Sequence, residues 1–211
     1  MTQTITALTI QKRHRERVNL FLDGAYAFSL SLDVALGLKR GQCLSQSEVA
    51  ALQRADEIQR AYQNALRLLG YRPRTQMEIK RRLHQKGFTP AAVDVALQRL
   101  NDKRYVDDDA FARFWLDQRQ RYRPRGARAI GYELRQKGVD SEIIKQVLND
   151  VDEAASAQAA IERKLNRWQG LDEATFRQKA MAFLSRRGFP YDIVRNACQQ
   201  AWETISALQK E

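Results

Sequence analysis

From about residue 60 onward the apolar positions recur at i, i+3, i+4 and i+7. Val93, Ala96, Leu97 and Leu100 form one such stripe. Ile144, Val147, Leu148 and Val151 form a second, and Val194, Ala197, Cys198 and Ala201 a third. This spacing places the four residues of each set on one helix face. Each stripe follows a glycine, Gly87, Gly138 or Gly188, with Lys86, Lys137 or Arg187 just before it. Glycine suits a left-handed C-terminal cap, and a cation there meets the negative end of the helix dipole. A helix therefore ends at each glycine and another starts almost at once. Thr89-Pro90 supplies an N-cap and a first-turn proline, and Asp140 and Pro190 mark the same place in the other copies. Thr75 and Glu78 have the spacing of a capping box, opening the helix that ends at Gly87. A further helix precedes each pair, in AYQNALRLLG, DDDAFARFWLDQRQR and EAASAQAAIERKLNRW.

The first 60 residues follow a different period. ITALTIQ and RVNLFLDGAYAFSLS alternate apolar with polar residues and are rich in Thr, Val, Phe and Tyr. That is strand patterning, and Asp23-Gly24 is a two-residue hairpin signal. Val18, Leu20 and Leu22 share one face. DVALGL reads as a short helix, and Ser45 with Glu48 makes a second capping box opening SEVAALQRADE. Two or three strands are marginal alone, so this module is expected to pack on a helix.

The tetrapeptide YRPR occurs at Tyr71–Arg74 and again at Tyr122–Arg125. The match extends beyond it: Ile79 aligns with Ile130, Leu83 with Leu134, Lys86 with Lys137 and Gly87 with Gly138. A third, weaker copy places Leu184, Arg187 and Gly188 where Leu134, Lys137 and Gly138 stand in the second, but LDEA replaces YRPR. A period of about 50 residues marks a repeat protein. Three helices per repeat and three repeats give nine helices. One three-helix unit buries little apolar surface, so neighbours are expected to stack. The expected fold is mainly α, with three tandem three-helix repeats and a small N-terminal β-hairpin/helix module. The expected divisions are residues 1–59, 60–104, 105–152 and 153–211.

Composition adds charge to this picture. The net charge is +11 and 44% of the residues are hydrophobic, so the chain can bury a core and suits an anionic partner. Two isolated cysteines, Cys43 and Cys198, make no disulfide framework, and with only two histidines there is no metal-ligand spacing. The N-terminus lacks a signal-peptide pattern and no apolar run reaches membrane-spanning length, so a cytoplasmic protein is expected. No phosphate-cradling loop, dinucleotide fingerprint, nucleophile elbow or metal-protease helix is present. The expectation is a non-enzyme without cofactor or metal.

Three stretches, VNLFLDGAYAFSLSLDVALGLKRGQ, ALRLLGYRPRTQMEIKRRLHQKGF and YVDDDAFARFWLDQR, resemble the RecX family of recombination regulators, and the resemblance spans nearly the whole chain. It implies an elongated, curved array of three-helix repeats. It further implies a protein that binds the RecA filament on single-stranded DNA, lying in its groove; a monomer is expected. Such a protein inhibits RecA's ATPase, strand-exchange and co-protease activities, which belong to DNA repair and the SOS response. Direct binding to single-stranded or double-stranded DNA is also implied.

The residues expected to touch RecA or DNA are arginines. Arg72 and Arg74, with Arg123 and Arg125, occupy equivalent places in two repeats, and arginine suits bidentate contact with phosphate or carboxylate. Tyr71, Pro73, Tyr122 and Pro124 are read as shaping the turn. Residues 113–137 hold eight Lys or Arg against Asp117 and Glu133. There Arg119, Arg121, Tyr122, Arg123, Arg125 and Arg128 interleave cations with an aromatic, as single-strand binders do. Arg81 and Arg82 lie off the buried stripe, where they either extend the same edge or simply face water. Lys12–Arg17, KRHRER, is read as a charged loop, and Asp107–Asp109 as a helix N-terminus rather than a metal site. The alternative function is a helix-turn-helix-like DNA-binding transcription factor, since paired short helices joined at a glycine turn resemble that unit.

Overall fold

The computed structural model describes residues 2–208 and divides at Val106 into two compact units. The first unit opens with a four-stranded antiparallel sheet in the order β3-β2-β1-β4. The strands are β1 Thr2–Ile10, β2 Arg17–Leu22, β3 Ala25–Ser31 and β4 Cys43–Ser45, with the short helix α1 Leu32–Ala35 before β4. Asp23 and Gly24 both have positive φ, 50° and 86°, as the primed hairpin turn requires. Val18, Leu20 and Leu22 are buried with Ile5, Leu30, Ala35 and Leu44. Strand β4 was not expected. It has three residues, too few for an alternating pattern, and pairs with the start of β1 through Thr2–Ser45.

Helix α2, Gln46–Tyr71, runs for 26 residues and unites the two segments read as separate helices, SEVAALQRADE and AYQNALRLLG. Its capping box is complete, with the Glu48 amide donating to the Ser45 hydroxyl and the Ser45 amide to the Glu48 carboxylate. Residues 59 and 60 lie inside this helix. Val49 and Leu52 pack against the sheet core, whereas Ala61, Tyr62 and Ala65 belong to the next core. Asp56, 5% exposed, ties helix to sheet: it accepts from the Arg17 guanidinium at 2.7 Å and the Ser31 amide at 2.6 Å. Helices α3 Gln76–Gln85 and α4 Pro90–Asp102 complete the unit, and Val93, Ala96, Leu97 and Leu100 are all buried.

The second unit holds α5 Asp108–Tyr122, α6 Ala127–Gln136 and α7 Ser141–Leu148, then α8 Glu153–Trp168, α9 Glu173–Ser185 and α10 Tyr191–Leu208. Among the described residues, α2–α10 form three groups of three helices. Asp107 caps α5 by accepting from the Ala110 amide, and no metal-binding cluster occurs among the described residues. The glycines that end α3, α6 and α9 all have positive φ, 84°, 79° and 83° at Gly87, Gly138 and Gly188. One apolar assignment differs in detail. Val151 lies past the end of α7 and is half-buried, because α7 stops at Leu148. The third repeat has the aromatic core, with Phe176 against both Trp168 and Trp202. Both cysteines are free, and no described helix is long and apolar enough to cross a membrane.

Candidate functional site

The two YRPR turns are built alike but tied differently. In the first, α2 ends at Tyr71 and Arg72 is extended, with φ −168° and ψ 158°. Its guanidinium forks onto Glu78, at 3.1 and 3.0 Å, and also donates to the Pro73 carbonyl. The hydrogen bond to Glu78 raises the Arg72 pKa against the opposing effect of burial. Arg74 donates from Nε to the Leu68 carbonyl at 3.0 Å, satisfying an orphan acceptor at the end of α2. Burial, and then the charge of Arg72, lowers its pKa. Both arginines of this copy therefore hold the turn. The Tyr71 side chain is 84% exposed.

In the second copy Glu133, on α6, gathers three donors. Arg125 donates to one carboxylate oxygen at 2.6 Å, and Arg119 and the Trp115 indole donate to the other at 2.7 and 2.6 Å. Arg119 and Lys137 also lie over the Trp115 ring, at 4.4 and 4.2 Å from its centroid. Among the described residues Arg123 and Arg128 have no carboxylate partner and are exposed. Arg121 pairs with Asp117 one turn away on an exposed face, at 2.7 Å. In the first repeat Arg81 is exposed and Arg82 donates to Gln85.

The third repeat supplies what the sequence concealed. Arg163, on α8, donates to the carbonyls of Tyr122 and Arg121, and Arg187 donates to the Pro124 carbonyl at 2.7 Å. From the neighbouring repeat, Arg163 caps the carboxyl end of α5 and Arg187 holds the turn that follows it. Burial lowers the Arg187 pKa, and the charges of Arg123, Arg125 and Arg163 lower it further. The Ala127 amide, at the start of α6, donates to Glu153 at 2.6 Å. Repeats two and three thus meet at a seam where arginines crowd. On α6 the outward stripe Arg128, Tyr132 and Arg135 runs at i, i+4 and i+7, with Tyr132 61% exposed. Tyr122 is 68% exposed at the same end of the repeat. Tyr132, Arg135, Arg163 and Arg187 were missed. The first two sit off the buried stripe and read as ordinary solvated residues, and the other two lie where YRPR is absent.

Cations alternating with exposed aromatics on a scaffold of three-helix repeats define a helical-repeat protein with a basic surface. The chain matches the regulatory protein RecX N-terminal domain over residues 3–45. It matches the first, second and third RecX three-helix domains over residues 61–100, 107–148 and 150–198. The chain belongs to the RecX family. It is 32% identical to the regulatory protein RecX of Bacillus subtilis, over 98% of this chain and 81% of that one. It is 28% identical to a regulatory protein RecX of Clostridium botulinum, over 93% of this chain and 95% of the relative. A crystal structure of regulatory protein RecX superposes with a TM-score of 0.73 at 27% identity, covering 92% of this chain and 97% of that one. RecX from Lactobacillus salivarius, at 24% identity and a TM-score of 0.62 over 70% of this chain and 97% of that one, shares the fold.

Proposed function

We propose that the protein is a non-enzymatic regulator that binds the RecA–single-stranded DNA filament and inhibits RecA's ATPase, strand-exchange and co-protease activities. The observation that carries this reading is the outward Arg128–Tyr132–Arg135 stripe of α6, on a chain whose relatives are named regulatory proteins. A phosphodiester strand or an acidic protein face meets guanidinium groups there that are not already paired. Arg123 and Arg128 make first contact, and Tyr122 and Tyr132 offer ring faces to unstacked bases. Arg81 is an exposed cation of the first repeat and offers a contact of its own there. Arg82 and Arg121 exchange weak, exposed partners for the ligand, which costs little. Arg72, Arg74, Arg119 and Arg125 act behind these by holding the turns that present them.

The test is RecA ATP hydrolysis on single-stranded DNA, titrated with this protein at low and moderate salt. Inhibition well below one protein per RecA identifies a block of filament growth, and inhibition only near equal amounts identifies occupancy along the filament. Unchanged hydrolysis at stoichiometric protein overturns the reading. A strong preference for one duplex sequence would assign the protein to transcriptional control instead.

A further inference from the structure

The loop between β1 and β2 contains Lys12, Arg13 and Arg15, three exposed cations in four residues. It does not simply face water. With α2 it lines an open cleft of about 1100 Å³. The opposite wall is a polar stripe of α2, Arg60, Gln63, Asn64 and Arg67, at i, i+3, i+4 and i+7. Arg17, which also lines the cleft, and Arg60 are both bound to the buried Asp56, at 2.7 and 3.1 Å. That pairing holds these two guanidinium groups in place. Among the described residues Lys12, Arg13, Arg15 and Arg67 have no carboxylate partner. The lining also includes two carboxylates, Glu16 and Asp33, against six Lys or Arg, so the cleft stays positive overall, and Asp33 accepts from the Gln59 amide at 2.6 Å.

A second, smaller cleft shares Arg17 and Arg60 with the first and is lined by Tyr26 and Phe28. Tyr26 is 58% exposed, and its ring is braced edge-on by Phe21 at 5.9 Å. Unpaired cations lining one cleft, joined through two shared arginines to a cleft with a braced open ring, match the layout by which proteins hold unpaired strands. Cations track the phosphates and an aromatic face stacks a base.

We propose that this cleft of the N-terminal module is a second binding site, for the backbone of a single-stranded nucleic acid, separate from the α6 face. Lys12, Arg13, Arg15 and Arg67 contact successive phosphates, and Tyr26 stacks a base that leaves the cleft over Arg17 and Arg60. The site needs no RecA, so it is measured on bare nucleic acid and stands or falls independently of the regulatory reading.

The experiment compares binding of a labelled oligothymidylate by the full chain and by the variant K12A/R13A/R15A/R67A, across a salt series. These four side chains make no interaction that holds the fold, and a matched melting curve checks this. Each lost phosphate contact lowers the slope of log affinity against log salt by about 0.7 on a single strand, so a drop of about 2 to 3 is expected. The variant K39A/R40A/R54A/R99A removes the same charge from exposed residues of the same unit that do not line the cleft. It should keep a slope closer to that of the parent. Tyr26→Ala should weaken binding by about tenfold with the slope unchanged. An unchanged slope in the cleft variant overturns the site. An equal loss in the matched variant also overturns it, because bulk charge alone would then be acting. An equal loss on duplex DNA overturns the single-strand assignment.

Discussion

The Gly126 amide donates to the Arg187 carbonyl at 3.0 Å, so the turn before α6 is hydrogen-bonded directly to the end of α9. A Cβ at Gly126 would run into the Gly188 backbone, and a Cβ at Gly188 would lie 2.6 Å from that of Ala129. The second and third repeats meet main chain to main chain. Gly126 has an ordinary φ of −67°, so it is glycine for closeness alone. Gly188 combines closeness with a φ of 83°.

Gly126→Ala should therefore destabilise the second unit by about 1–3 kcal/mol through overpacking. Gly188→Ala should cost more, because about 1–2 kcal/mol of left-handed strain adds to the clash. Gly87→Ala, at φ 84° with nothing within 4 Å, isolates the strain alone. All three tryptophans, Trp115, Trp168 and Trp202, lie in the second unit. Urea titration followed by tryptophan fluorescence reads the first two variants, and circular dichroism reads the third.

The arginines of the two YRPR copies should separate by role. Arg72→Ala removes the fork onto Glu78 and should lower stability by about 0.5–1 kcal/mol, reduced by solvent screening of the half-exposed guanidinium. Arg123→Ala and Arg128→Ala should leave the melting temperature unchanged and weaken binding to DNA or to the RecA filament. Melting curves and binding isotherms on the same preparations check both halves. A melting loss in Arg128→Ala would place that residue in the scaffold.

Asp56 should be a stability residue of the first unit. Asp56→Ala leaves Arg17 half-buried without its carboxylate and orphans the Ser31 amide, at a cost of about 3 kcal/mol. Asp56→Asn keeps an acceptor for Ser31 and should lose less. Circular dichroism melting distinguishes the two.

Cys198 is 1% exposed, and burial pushes its pKa from 9.0 to about 11, against a smaller lowering by Arg177. The folded state therefore holds this proton more tightly than the unfolded chain. Its contribution to stability is intact below about pH 9 and declines as pH rises from 9 towards 11. At pH 8 a thiol reagent should label one cysteine quickly, the exposed Cys43, and the second only on unfolding. Two fast equivalents in native buffer would contradict the burial of Cys198.

Much of the architecture was legible because it rests on local rules. The capping boxes at Ser45 and Thr75, the left-handed glycines and the Asp23-Gly24 turn depend on a few adjacent residues. The buried stripes at Val93 and Val194 follow one helical period. Strand β4 was invisible because its pairing with β1 is decided by a partner some 40 positions away (Thr2 with Ser45). The continuity of α2 was hidden because it changes core partway along, so no single stripe runs its length. Among the candidate site residues, the charge of the arginines was plain but their partners were not. Glu133 reaches Arg119 and Arg125 only once α5 and α6 are packed. Arg163 and Arg187 show their role only when a third repeat meets the second.

Helix α2 carries a further consequence. One rod serves two cores, with Val49 and Leu52 under the sheet and Tyr62 and Ala65 in the first repeat. The two cores are thus coupled mechanically, and a strain that unwinds either end of the rod is felt at the other. Cutting the chain before Gln46 would not release a clean repeat array. It would uncover an apolar helix end and invite self-association, so in this protein the sheet also acts as the cap that keeps the first repeat solvent-compatible.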